Sequence, residues 1–255
     1  MSFGNRGRLR ICTIRSRQII SDEELSICGS GSFAFSLIEA TIRTDNMHTI
    51  TADDITSMDK LVRVQFATSL PGAKPISLIG TIDAEGHTNL APFSSVVHLG
   101  SNPALLGMIS RPDLVERHTL SNILEMKCWT INHLHPAILD AAHQCSARYP
   151  REVSEFSATG LTEHFVDGFA APFVGESKFR IGMILEQIID ITANGTQMII
   201  GRVAIVQTSD AMQSDGSLDL PVMGCLASTA LDTYFTLQPE ARLAYAKGDR
   251  APRRL

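Results

Sequence analysis

Two short segments hold residue types that together suit a ligand with a flat ring and an anionic tail. The first is Asn89-Leu90-Ala91-Pro92-Phe93-Ser94-Ser95. It is small, apolar and rich in hydroxyls, and Pro92 stiffens it. Backbone of this kind can lie flat against an aromatic ring system and offer N–H groups to its polar edge. The same residues also read as a plain strand with a bulge at the proline. The second segment is Ser110-Arg111-Pro112, followed by His118-Thr119-Leu120-Ser121-Asn122-Ile123. Thr119 is a good helix N-cap, and a helix start offers free N–H groups and the positive end of its dipole. Arg111 and His118 add cationic or donor groups, and Thr119 and Ser121 add hydroxyls, so the set suits a phosphate. A capped surface helix with a solvated arginine would show the same residues.

Other constellations carry less. Gly29, Gly31 and Ala34 form GxGxxA, but Leu25 to Cys28 is a poor preceding strand and no βαβ unit surrounds the motif. His133, His135, His143 and Cys145 lie close in sequence, yet Pro136 keeps the first two off the helix that carries the third, so no metal site is expected. The chain has no GxSxG elbow, which argues against a serine hydrolase. The five cysteines are odd in number, widely spaced and without a CxxC, as expected of reduced thiols in a cytoplasm rather than a disulfide framework.

The elements that must position the two segments are mostly short strands. Thr51 or Asp53 can cap a helix over Asp54 to Lys60, and Val62 to Ser69 then alternates or runs apolar. Ile76 to Ile82 reads as a buried strand with a turn at Ala84-Glu85-Gly86, Thr88 to Pro92 leads into the next, and Leu105 to Ser110 is another. Thr119 to Met126 has helical periodicity, Cys128 to Leu134 returns to strand, and Pro136 to Cys145 reads as a helix with proline in its first turn. Phe179 to Ile191 and Thr196 to Gln207 are long strands, with Asn194-Gly195 marking a two-residue hairpin turn between them. A last helix is expected over Ser228 to Leu237. Many short strands with tight turns favour a β-barrel over a parallel sheet.

The whole-chain balance narrows the partners. At 255 residues with a net charge of -5, the chain has the core of an ordinary globular protein and no basic footprint for nucleic acid. No apolar run approaches a bilayer span, so no membrane partner is expected. Residues 1–46 differ from the rest, with Arg6, Arg8, Arg10, Arg15 and Arg17 preceding the first acid at Asp22. The division adopted is an N-terminal extension over 1–46, packing loosely, and one domain over 47–255 that starts naturally at Met47.

From about Phe66 to Gln207 the chain resembles the flavin reductase-like family of FMN-binding split barrels. The matching pieces are PGAKPISLIGTIDAEGHTNLAPFSS, NPALLGMISRP, RHTLSNI, CWTINHL, SARYPREVSEFSATGLT, APFVGESKFRIGM and NGTQMIIGRVAIV, in matching order and spacing. The C-terminal LDTYFTLQPEARLAYA resembles one branch of the family. The resemblance implies a mainly β fold, a six-stranded Greek-key split barrel with a few peripheral helices, that forms a homodimer with FMN near the interface. It implies that Asn89, Ala91, Pro92, Phe93, Ser94 and Ser95 face the isoalloxazine and ribityl chain, and that Ser110, Arg111, His118 and Thr119 hold the phosphate. Many relatives have lysine where His118 stands; a histidine is only partly charged at neutral pH, so phosphate affinity is expected to fall as pH rises. Tyr149, Pro150 and Phe156 match a loop near the flavin, with Lys74 and Tyr234 as weaker candidates. The activity implied is hydride transfer from NADH or NADPH to flavin, which stacking and orientation can support without an acid–base residue. Reduced flavin would then feed a flavin-dependent oxygenase. The alternatives are a non-enzymatic flavin or electron carrier and a barrel for another ligand such as haem or a pterin.

Overall fold

The computed structural model describes residues 47–111, 118–208 and 212–255. The basic N-terminal stretch, its glycine motif and Pro112 lie outside them. In chain order the elements are α1 (Ala52–Ser57), α2 (Lys60–Ser69), β1 (Lys74–Pro75), β2 (Ser77–Ile82), β3 (Thr88–Phe93), β4 (Val97–Ser101), β5 (Ala104–Ser110), α3 (His118–Met126) and β6 (Cys128–His133). A single 3-10 turn (Pro136–Ile138) leads into α4 (Leu139–Gln144), then come α5 (Glu155–Thr159), β7 (Glu163–Val166), β8 (Phe169–Val174), β9 (Phe179–Ile191), β10 (Thr196–Thr208), β11 (Leu226–Thr229) and β12 (Thr233–Thr236).

The main sheet runs β3-β2-β6-β9-β10-β5-β4, antiparallel throughout. It has seven strands rather than the six expected, and no ladder among the described residues joins its edges β3 and β4. The additional strand is β4, an exposed edge strand whose Val97 and Leu99 give little burial signal. Alternation along β2 supplies both layers of the core. Ile79 packs with Trp129, Ile131, Met183 and Ile199, while Leu78 packs with Leu90, Leu134, Phe156 and Val174 beneath α4 and α5. The short hairpin β7-β8 lies across β2 and β6, where Thr130 Oγ1 donates to the Pro172 carbonyl at 2.6 Å.

Three local expectations change. The last helix is instead the β11-β12 hairpin, which pairs through β11 with β1. Its Ser, Thr, Tyr and Phe residues suit a pleated surface, and Ala230 at the turn has φ +50°, which ends any helix. The β9-β10 loop spans residues 192–195, and only Gly195 takes positive φ, so the turn is longer than the two-residue type. The stretch after Met58 is a helix despite its alternation, and its Arg63 Nη1 donates to the Thr56 and Met58 carbonyls at 2.9 and 3.0 Å. That bond fills the open C-terminal end of α1, whose own start carries a Thr51–Asp54 capping box.

Candidate functional site

The β2-β3 turn is organised around one carboxylate. Asp83 Oδ1 accepts from the Glu85 and His87 main-chain N–H groups at 3.0 and 2.9 Å. Its Oδ2 meets His87 Nδ1 at 3.1 Å and accepts from Arg151 Nη1 at 3.0 Å. Burial opposes the charge, but the His87 main chain and ring and the Arg151 guanidinium outweigh it and hold the Asp83 carboxyl down to about 2. Glu85 lies beside the same pair, so Asp83, Glu85 and His87 form a compact trio. With four donors already on Asp83, the trio is accounted for as a locked turn.

From that turn β3 carries the first candidate segment along the sheet edge. Asn89 is buried, and its Nδ2 donates to Thr119 Oγ1 at 3.0 Å and lies 3.3 Å from Thr81 Oγ1. Ala91, Pro92 and Phe93 are half-buried and pair in unbroken register with Ile79, Leu78 and Ser77. Pro92 therefore sits in an edge strand with no bulge, where its missing N–H costs no ladder bond. Ser94 is half-buried, and Ser95 Oγ bridges to β5, accepting from Ile109 N at 3.0 Å and lying 3.3 Å from its carbonyl.

The second segment begins where β5 ends. Ser110 is buried with its hydroxyl 3.4 Å from the Arg111 carbonyl, and Arg111 is exposed. His118 is half-buried and already helical, so Thr119 lies inside α3 and is not its N-cap. Its hydroxyl serves Asn89 instead of the helix terminus. The two segments thus meet at Asn89–Thr119, and Ser95 ties the first to Ile109, the residue just before the second.

The remaining expected residues are spread out. Tyr149 is half-buried with its hydroxyl 3.0 Å from Gln144 Nε2, and Pro150 is exposed. Phe156 lies wholly in the core, so its ring cannot meet a ligand at this surface. Lys74 Nζ donates to the Thr68 carbonyl at 2.6 Å, which closes the C-terminal end of α2, and Tyr234 is held by His143 at 2.8 Å. The three close histidines diverge: His133 stacks on Phe179, His135 bonds the Glu176 carbonyl, and His143 meets Tyr234.

Sequence reasoning missed Arg151 and Glu155, and gave no role to Asn122 within the second segment. Arg151 joins Asp83 to α3, reaching Ser121 Oγ at 3.1 Å and Asn122 Oδ1 at 3.4 Å. Glu155 is buried, and its Oε2 accepts from Leu90 N on β3 at 2.9 Å. Burial pushes its carboxyl up, against the pull of the Leu90 N–H, its own N–H and the nearby His118. A polar recess is lined by Asp83, Asn89, His118, Asn122, Arg151 and Glu155. The only signal in the sequence was the charged loop Arg151-Glu152 to Glu155, which solvation explains equally well.

Three comparisons bear on this arrangement. Residues 72–223 match the family described as flavin reductase like domain. A candidate flavin reductase with a split barrel domain from Shewanella frigidimarina is 44% identical, covering 78% of this chain and 100% of that one with a TM-score of 0.75. Nitrilotriacetate monooxygenase component B from Bacillus cereus, 20% identical, covers 78% of this chain and 100% of that one at 0.69, and flavoredoxin of Desulfovibrio vulgaris, 22% identical, covers 71% and 93% at 0.59. The last two likenesses concern the fold alone. The matched span, more than half the chain, includes β2 to β10 and every residue of the recess, and this chain belongs to the flavin reductase-like family.

Proposed function

We propose that this chain is an oxidoreductase that binds FMN and passes it a hydride from NADH or NADPH. One observation carries the proposal: the strand edge suited to a flat ring and the helix start suited to a phosphate meet directly, Asn89 Nδ2 donating to Thr119 Oγ1 at 3.0 Å. The residues fit the group chemically. Ser110, Arg111, His118 and the first-turn N–H groups of α3 are donors or cations for the phosphate. Ala91 to Ser95 offer small side chains, hydroxyls and backbone on a half-buried edge for the ring and ribityl chain. FMN would supply the two-electron chemistry when bound. The protein's part is to stack, orient and offer donors toward the negative charge of the reduced state.

The same proposal includes a homodimer and a flavin-dependent oxygenase as acceptor of reduced flavin, as the resemblance in sequence implies. The fold is common to an oxygenase component and to a flavoredoxin, so fold does not choose between reductase and carrier. The test is NADH or NADPH oxidation with added FMN, followed at the nicotinamide absorbance, on protein whose visible spectrum is recorded first. Turnover with one or both nucleotides is expected. A yellow protein reduced only by another protein would make it a carrier, and a colourless protein that ignores FMN would overturn both. Light scattering of the purified protein tests the dimer.

A further inference from the structure

We infer that Arg151 is a positioning residue for the phosphate end of the flavin site, an inference that rests on the FMN reading above. Arg151 comes from the loop before α5 and touches two other elements at once. Nη1 bonds Asp83 Oδ2 at 3.0 Å, at the end of β2, and lies 3.4 Å from Asn122 Oδ1. Nη2 bonds Ser121 Oγ at 3.1 Å, and Ser121 Oγ in turn donates to the His118 carbonyl at 3.0 Å. The guanidinium therefore grips the first turns of α3 from outside. A planar fork with fixed donors can hold three acceptors in one geometry, which an ammonium on a flexible stem cannot.

From Asn122 the connection runs inward. Its Nδ2 lies 3.2 Å from Thr81 Oγ1, the same oxygen that faces Asn89 Nδ2, and Asn89 reaches Thr119. Thr81, Asn89, Thr119 and Asn122 are all buried, so each of these bonds is held in low dielectric, where losing one leaves an unpaired group. One network thus spans Arg151, the α3 residues beside the phosphate site and the β3 residue at the ring side. Asp83 keeps its charge far into acid, which anchors Arg151 across the working pH range. Arg151 fixes where the α3 start sits relative to β3 and need not touch the ligand itself.

The role separates two flavins that share a ring and differ in the phosphate. In Arg151→Lys and Arg151→Met, the dissociation constant for FMN should rise about tenfold while that for riboflavin stays within about twofold, because the tail site shifts and the strand edge does not. Ser121→Ala, at an exposed residue, removes the Nη2 link together with the serine's own bond to the His118 carbonyl, and should weaken FMN by about threefold with the same selectivity. Fluorescence quenching of each flavin, with thermal melts alongside, reads all of these. Equal losses for FMN and riboflavin, or FMN affinity unchanged in Arg151→Lys and Ser121→Ala, would overturn the inference while leaving the FMN reading intact. Wild-type protein that binds neither flavin would remove both.

Discussion

Arg111 and Thr119 differ in how they can serve a phosphate, and the difference shows in what each mutation removes. Arg111 is exposed, so its guanidinium stands where a tail group can meet it. Arg111→Ala should weaken FMN by about 1–3 kcal/mol, the usual loss of a charge-assisted bond, and titration calorimetry measures it directly. An unchanged affinity would take Arg111 out of the site. Thr119→Val should also weaken FMN, but with a fall in melting temperature, since Asn89 Nδ2 loses its shorter acceptor inside the fold. The sequence singles out these two residues because hydroxyl, arginine and helix periodicity fall together in one stretch, though it reads Thr119 as an N-cap where the fold places it inside α3. Arg151 was not, because its partners Asp83, Ser121 and Asn122 lie 68, 30 and 29 positions away, and a surface arginine in a polar loop looks solvated until the fold is known. Phe156 failed in the opposite direction. It sits in a loop-like stretch, yet α5 turns it into the core beside Leu78 and Leu90.

Elements were legible where local pattern and burial agree. The expected span Phe179 to Ile191 is the observed β9, and β2, β3, β5, β6 and β10 lie close to their expected places. Local pattern misled where a distant partner decides the outcome. The alternating stretch after Met58 becomes α2, whose Arg63 closes the end of α1, the β11-β12 segment becomes strand by pairing with two residues of β1, and β4 lies on an exposed edge. One close approach offers a test of how the sheet is packed. β10 shifts register at Ile200/Gly201, and a Cβ at Gly201 would collide with the six-membered ring of Trp129, which is almost wholly buried. Gly201→Ala must displace a large ring or the β10 backbone, so it should cost about 1–3 kcal/mol in urea unfolding. A variant as stable as the parent would show that the ring has room to move. Gly80 is confined in the same way by the Pro172 carbonyl and Thr130 Oγ1, which explains why β7-β8 can lie so close on β2.

At the scale of the whole molecule, two groups set an acid limit to stability in adjoining windows. Burial against Phe179, whose ring centroid is 4.5 Å from that of His133, lowers the His133 pKa from 6.5 to about 4. Between those values the unfolded chain binds a proton that the folded chain refuses, so stability falls as pH drops through this range. The difference is worth about 2 kcal/mol once the partial exposure of the ring is allowed for. Asp83 acts below that window. Its folded pKa of about 2 lies under the ordinary 3.8, so its contribution is complete above 3.8 and is lost as pH falls toward 2, again about 2 kcal/mol. Glu155 runs the other way, because its raised pKa makes its charged form a cost that acid relieves. The sum predicts a decline of unfolding free energy in two steps, one between pH 6.5 and 4 and a second below 3.8. His133→Gln should flatten the first step and leave the second, whereas Asp83→Asn should remove the second and, by breaking the Arg151–Asp83 ion pair, lower stability at neutral pH as well. Urea unfolding of the three proteins at pH 7, 5, 4 and 3 separates the contributions. If His133→Gln lost as much stability between pH 7 and 4 as the wild type, the His133 ring would have to be wet in the folded protein, and its packing against Phe179 would be looser than the structure shows.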